Sequence, residues 1–118
     1  MARARSFRYA FAGIHFLIST QPNARVHLIV TFLVIALGII FRLQVQDWLA
    51  LCFAVSLVWI TEAVNTAIET VVNLTTRDYH PLAKNAKDLA AGAVLIAAIT
   101  SIVVGLLVFG PPLLALLN

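Results

Sequence analysis

Three long apolar stretches, separated by short polar links, dominate the hydropathy pattern of this chain of 118 residues. Each stretch is compatible with a membrane-spanning helix, which needs roughly 20 residues to cross the hydrocarbon core of a bilayer. The pattern predicts spans at about residues 26–43, 47–75 and 84–109. Because no glycine or proline interrupts the chain between Trp48 and Thr76, we expect the second span to be one helix of roughly 42 Å, which projects beyond the bilayer core.

The segment before the first span has the periodicity of an amphipathic helix over residues 4–20. Four apolar residues recur there at helical spacing, namely Phe7, Phe11, Ile14 and Ile18. We expect this helix to lie on the membrane surface and to end before Pro22. A signal peptide is a poorer interpretation, because no small-residue cleavage site follows the apolar part. The sequence therefore predicts an all-α membrane protein, one domain over residues 1–118, with an N-terminal surface helix and three transmembrane helices.

Composition supports this interpretation. Hydrophobic residues make up 62% of the chain and charged residues 11%, whereas a soluble domain is usually about half apolar and a quarter charged. These values exclude a soluble globular domain and a disordered tail. The single cysteine, Cys52, excludes a disulfide scaffold.

The basic residues predict the orientation in the membrane. Seven of the eight lie before the first span or between the second and third: Arg3, Arg5, Arg8, Arg25, Arg77, Lys84 and Lys87. The positive-inside rule places this side in the cytoplasm, so we expect a cytoplasmic N-terminus. The bases are few and serve to orient the chain, so nucleic acid is not an expected partner.

The second span carries four polar residues on one helical stripe: Glu62, Asn65, Glu69 and Asn73. Its two carboxylates are separated by roughly 10.5 Å along the axis, so one magnesium ion, with ligand distances of about 2.1 Å, cannot bind both within one chain. The deeper Glu62 suits a general base, and the shallower Glu69 suits contact with water and cations. Alternatively, the stripe pairs with bases of a neighbouring helix or is partly solvated.

The link that follows the second span concentrates polar chemistry in residues 75–88. Lys84 and Lys87 lie one turn apart and could hold phosphate, with Asp88 assisting, or could be ordinary membrane anchors. The chain has no phosphate loop and no protein-kinase catalytic loop. Its three histidines are too scattered in sequence to indicate a zinc site.

Three runs of residues, 62–72, 79–84 and 86–95, closely resemble the prokaryotic diacylglycerol kinase and undecaprenol kinase family. They contain the pattern E-x-x-N-x-x-x-E and the tripeptide Ala-Lys-Asp, and residues 6–7, 12–14 and 23–27 also match. The resemblance implies a homotrimer whose active sites lie between protomers at the cytoplasmic surface of the bacterial inner membrane. It also implies transfer of the γ-phosphoryl group of ATP, with Mg²⁺, to the hydroxyl of a membrane lipid.

The resemblance further implies roles for individual residues. By position, Glu62 matches the catalytic base, Asn65 the residue that supports it, and Glu69 a metal ligand. The positions that match nucleotide contacts are Tyr9, Asp78, Tyr79, His80, Lys87 and Asp88. Gln21 stands where many members carry a second metal-binding glutamate, and Asn73 where many carry aspartate. Both keep an oxygen ligand but lose a charge, so a weaker magnesium site is expected.

The acceptor and two rival functions stay open at this point. The runs 80–84 and 90–95 are more similar to the undecaprenol kinase branch, so undecaprenol is favoured over diacylglycerol. The first rival is a degenerate kinase that only binds lipid, which the neutral Gln21 and Asn73 suggest. The second is a small oligomeric transporter that uses Glu62 as its proton carrier.

Overall fold

The computed structural model describes residues 2–118, which form four helices joined by short links. They are α1 (Ala2–Thr20), α2 (Pro22–Ile40), α3 (Val45–Thr75) and α4 (Pro81–Leu117). No strand occurs in the described part of the chain. The helices α2, α3 and α4 are long and apolar enough to cross a membrane. The predicted fold class, with one amphipathic helix followed by three candidate spans, is confirmed.

The boundaries of α2 lie earlier than those predicted for the first span, 26–43. The helix begins at Pro22 because proline lacks the N–H group that the first turn leaves unpaired, and its backbone angle already suits a helix. It ends at Ile40, and Arg42 then adopts a positive φ of 52°. A residue in this left-handed conformation terminates a helix.

The boundaries of α4 lie outside the predicted span 84–109 at both ends. The helix begins at Pro81, where His80 Nδ1 accepts a hydrogen bond from the backbone N–H of Leu82 at 3.1 Å. This contact satisfies one of the free donors of the first turn. The helix continues through two prolines to Leu117, although each proline lacks the N–H donor of a helical hydrogen bond.

The helix pair α3 and α4 forms the most extensive contact of the fold. Small residues let the two backbones approach, and Ala54, Ala90 and Ala97 are all buried. Ser101 Oγ also donates a hydrogen bond across the pair to the carbonyl oxygen of Ala54 at 3.1 Å. The polar residues in the second half of α3 therefore lie on a helix that packs extensively against α4.

Side-chain hydrogen bonds attach α1 and α2 to this pair. Arg25 in α2 donates to the carbonyl oxygens of Ile18 and Ser19 at the end of α1, at 3.1 and 2.6 Å. Trp59 Nε1 in α3 donates to Thr31 Oγ1 in α2 at 3.0 Å. These bonds set the register of α2 against α3 and fix the end of α1 beside both.

The four helices form a thin layer, with overall extents of 58 × 41 × 21 Å. Large apolar side chains remain uncovered along the spans, such as Phe53 with 75% of its surface exposed and Leu107 with 72%. Burial of apolar surface away from water stabilises a protein by about 25 cal/mol per Å², so such exposure to water would be costly. Lipid or further copies of the chain must cover these faces.

Gly38 in α2 lies directly against Trp48 at the start of α3. A Cβ atom at this position would lie 2.4 Å from Cη2 of Trp48 and 2.8 Å from its Cζ2. Any larger residue would displace the indole ring. Glycine at position 38 therefore lets the Trp48 ring pack against α2, close to the short turn that reverses the chain between the two spans.

We expect Gly38→Ala to lower the thermal unfolding midpoint of the protein in detergent micelles, followed by circular dichroism. Overpacking of a filled site costs about 1–3 kcal/mol. Gly105→Ala is the matched control, since no atom lies within 4 Å of a Cβ placed there, and alanine in a helix is favoured over glycine by about 0.5–1 kcal/mol. An unchanged midpoint for Gly38→Ala would contradict the tight contact with Trp48.

Candidate active site

The polar stripe of α3 is partly enclosed by the neighbouring helices. Glu62 has only 2% of its surface exposed, and one turn further on Asn65 Nδ2 donates a hydrogen bond to Glu69 Oε1 at 3.4 Å. Within residues 2–118, two buried oxygens of the stripe, Glu62 Oε2 and Asn65 Oδ1, have no hydrogen-bond partner. A buried polar atom left unpaired is costly, so both oxygens can gain by accepting a hydrogen bond from a ligand or another chain.

His27 of α2 faces Glu62, a juxtaposition that the sequence did not predict. Its Nε2 atom lies 3.8 Å from Glu62 Oε2, and its ring makes an edge-to-face contact with Trp59 at a centroid distance of 6.4 Å. Thr31 Oγ1, which accepts from Trp59, donates to the carbonyl oxygen of His27 at 2.6 Å. An ionisable residue beside a membrane span is a candidate functional residue, so His27 could have been noticed. Its partner Glu62 lies 35 residues away, and the sequence does not connect the two.

A second polar region, which we call the basic cleft, lies where α3 ends and α4 begins. It is an open cleft of about 390 Å³. Five of the six residues that the family pattern relates to nucleotide line it: Asp78, Tyr79, His80, Lys87 and Asp88. Asn73, Arg77 and Lys84 also line it. The turn between α3 and α4 thus gathers side chains that are spread over 16 positions of the sequence.

Hydrogen bonds and one ion pair organise the basic cleft. Lys87 Nζ donates to Asn73 Oδ1 at 2.6 Å, which joins α4 to the end of α3. Lys84 pairs with Asp88 one turn later on α4, and both side chains are largely exposed, so the pair adds little stability. Three cationic side chains face two carboxylates in this cleft, which leaves one excess positive charge to attract an anion.

The remaining predicted site residues do not line the basic cleft. Tyr9 on α1 is 68% exposed. Gln21 precedes α2 and donates to Thr20 Oγ1 at 3.4 Å, without capping the helix through its side chain. Glu62 is separated from Asn73, which borders the cleft, by eleven residues of α3, or roughly 16 Å along the helix axis.

The residues present fit a magnesium ion that is bound together with phosphate. No group of three His, Cys, Asp or Glu side chains that could hold a metal occurs among the described residues. Magnesium commonly uses one or two carboxylates and completes its shell with water and substrate phosphate oxygens. The half-exposed Glu69 carboxylate, oriented by Asn65, can supply one such ligand.

Comparison with known proteins gives consistent results. The family described as prokaryotic diacylglycerol kinase matches residues 8–109. A diacylglycerol kinase of Synechocystis sp. is 46% identical over 113 residues, which are 95% of this chain and 65% of that protein. The chain therefore spans slightly less than two thirds of this relative's length.

Two further relatives carry different names. An undecaprenol kinase of Bacillus subtilis is 38% identical over 109 residues, which are 92% of this chain and 89% of that protein. A diacylglycerol kinase of Escherichia coli is 46% identical over 50 residues, which are 42% of this chain and 41% of that protein. The resemblance inferred from the sequence motifs is confirmed, and the chain belongs to the prokaryotic diacylglycerol kinase family.

Proposed function

We propose that this protein phosphorylates the hydroxyl group of a membrane lipid, with ATP and Mg²⁺ as co-substrate and cofactor, at the cytoplasmic face of the bacterial inner membrane. The observation that carries the proposal is the buried Glu62 carboxylate, whose Oε2 has no hydrogen-bond partner within residues 2–118, on the same helix that leads to the basic cleft. Membership of a lipid kinase family supports the same conclusion.

Glu62 is proposed to act as the general base. Its free Oε2 atom can accept the hydrogen bond of a lipid hydroxyl and then its proton, as the lipid oxygen attacks the γ-phosphorus. Asn65 supports this step with its own unpaired Oδ1 atom, which can orient the incoming group. Phosphoryl transfer depends mainly on positioning and charge neutralisation, and both residues are held on a rigid helix.

The basic cleft is proposed to hold the nucleotide. Lys84 and Lys87 supply ammonium groups to phosphate oxygens, and Arg77 adds a third positive charge. Tyr79, 80% exposed, offers a flat apolar surface against which a base can pack. The predicted contact from Tyr9 would have to come from α1 of this chain or of a neighbouring one.

Glu69 is proposed as the protein ligand of magnesium, with Gln21 as a second, weaker candidate. Magnesium, when bound, neutralises charge on the phosphate groups and makes the γ-phosphorus easier to attack. Asn65 holds the Glu69 carboxylate through its hydrogen bond. Lys87 holds Asn73 in the same way at the end of the stripe.

A homotrimer is proposed as the active form. Within one chain, the Lys87 ammonium group at Asn73 lies roughly 16 Å along α3 from Glu62. A base and a phosphate-binding lysine that far apart are difficult to bring to one γ-phosphate. Sites shared between chains remove this difficulty, and the exposed apolar faces of the thin layer supply the contact surface.

The proposed acceptor is undecaprenol, on the basis of the runs 80–84 and 90–95. To test it, the purified protein in nanodiscs receives radiolabelled ATP, Mg²⁺ and either undecaprenol or diacylglycerol. We expect label to enter the lipid fraction, with undecaprenol as the better acceptor. Label with diacylglycerol alone would correct the acceptor, and nucleotide binding without any transfer would indicate a degenerate kinase. Proton transport without phosphorylation would indicate the transporter.

We expect Gln21→Glu to lower the magnesium concentration needed for half-maximal rate. A carboxylate is a stronger ligand for magnesium than a neutral amide, so the gain should be largest at low magnesium. It should shrink at saturation, because excess metal fills a weak site by mass action. The measurement is a magnesium titration of the initial rate for both forms.

Gln44→Glu is the matched control for this substitution. Gln44 precedes α3 as Gln21 precedes α2, and neither side chain caps its helix. It lies at the opposite end of the spans, so the same added charge should leave the titration unchanged. Identical curves for Gln21→Glu and the original protein would show that residue 21 lies outside the metal shell.

A further inference from the structure

His27 and Glu62 face each other between α2 and α3. Their nearest atoms, Nε2 and Oε2, are 3.8 Å apart. This separation is slightly too long for a hydrogen bond, and within residues 2–118 Glu62 Oε2 has no hydrogen-bond partner. His27 is thus the ionisable group placed to interact with the buried carboxylate.

The backbone and ring of His27 are both held in place. Thr31 anchors its carbonyl oxygen, and its ring makes an edge-to-face contact with Trp59. The ring is nonetheless accessible, since 23% of the side chain is exposed, against 3% for Glu62. A fixed imidazole that faces a buried carboxylate with an unprotonated nitrogen can take up a proton from it, and the exposed part of the ring can release a proton to solvent.

We propose that His27 is a positioning residue that acts through Glu62 and removes the proton that this carboxylate collects. The inference rests on the proposed function. In the step, the lipid oxygen bonds to the γ-phosphorus while the bond from that phosphorus to the bridging oxygen breaks, and ADP leaves with the electron pair. The hydroxyl proton passes to Glu62, then to His27 Nε2, and finally to water.

Kinetics of His27→Ala in nanodiscs test the proton path. We expect kcat to fall by about 10-fold or more, in the range of general acid–base effects, with an unchanged KM for ATP. Added imidazole should restore part of the rate, and it should restore nothing in the double variant with Glu62→Gln. His15→Ala is the matched control, because His15 is exposed on α1 and should keep the original rate.

Two kinetic results would overturn the inference. One is a kcat for His27→Ala within about twofold of the original protein, and the other is a loss that imidazole does not repair. If the original protein is active, either result leaves the proposed lipid kinase function unaffected. If the original protein phosphorylates no lipid, the proposed function fails and the inference fails with it.

A spectroscopic test examines the contact without any activity. With ¹⁵N-labelled histidine, the ring signals of His27 are identified by their disappearance in His27→Ala. We expect Glu62→Gln to shift these signals, because it removes the charge facing Nε2. Glu69→Gln, two turns further along α3, should not shift them. Unmoved signals in Glu62→Gln would show that the pair does not exist.

Discussion

Glu62→Gln is expected to lower the rate of lipid phosphorylation by about 10²- to 10⁴-fold, the usual contribution of a general base. Glutamine keeps the shape of the buried side chain and can still accept a hydrogen bond, but it cannot take the proton of the lipid hydroxyl. Binding of ATP should persist, since Glu62 lies roughly 16 Å along α3 from the edge of the basic cleft. The measurements are initial rates and equilibrium nucleotide binding.

The matched control is Asp47→Asn, which makes the same carboxylate-to-amide change in the first turn of α3. It lies at the opposite end of the helix and should retain the original rate. A rate for Glu62→Gln close to that of the control would contradict the role of Glu62 as base. The burial of Glu62 would then have to serve packing between α2 and α3.

Lys87→Met is expected to reduce the rate by about 10²-fold, comparable with the loss of one donor to a developing negative charge. Methionine keeps the length of the side chain but loses the ammonium group that contacts Asn73 and borders the basic cleft. Unlike Glu62→Gln, this variant should also bind ATP more weakly. Arg3→Met, which removes a positive charge at the start of α1, should change neither quantity.

Mixing the two inactive variants tests whether sites are shared between chains. If one protomer supplies Glu62 and its neighbour supplies Lys87, about a quarter of the sites in randomly mixed trimers contain both groups. Activity should therefore reappear in co-expressed Glu62→Gln and Lys87→Met chains. Absence of activity in mixed trimers verified by native mass spectrometry would place both groups in the site of one chain.

The fold was largely predictable because apolar runs and the periodicity of apolar residues can be read directly from the sequence. Long apolar runs predict spans, and the run without glycine or proline predicts the single long helix α3, which extends over Val45–Thr75. Exact helix ends were less predictable. The end of α2 depends on the left-handed conformation of Arg42. Proline usually interrupts a helix because it lacks an N–H donor, so the continuation of α4 past its two prolines was not expected.

The candidate site was predictable in part. Residues on one helix, such as Glu62, Asn65 and Glu69, share a face by spacing alone. The residues of the basic cleft are also close in sequence, so a single turn is enough to gather them. The pairing of His27 with Glu62 depends on how α2 sits against α3, which packing at Gly38 and the bond from Trp59 to Thr31 determine. No periodicity within one helix contains that information.

The length of α3 has a consequence for substrate selection. Glu62 lies seventeen residues after Val45, roughly 26 Å along the axis, and the hydrocarbon core is about 30 Å thick. With Val45 at one boundary of that core, the length of α3 places the proposed base near the opposite boundary, where a small lipid alcohol carries its hydroxyl. Under the proposed activity, the enzyme then selects its lipid acceptor by the depth of the hydroxyl and the size of the headgroup. The length of the lipid tail, which lies in the bilayer, does not affect this selection.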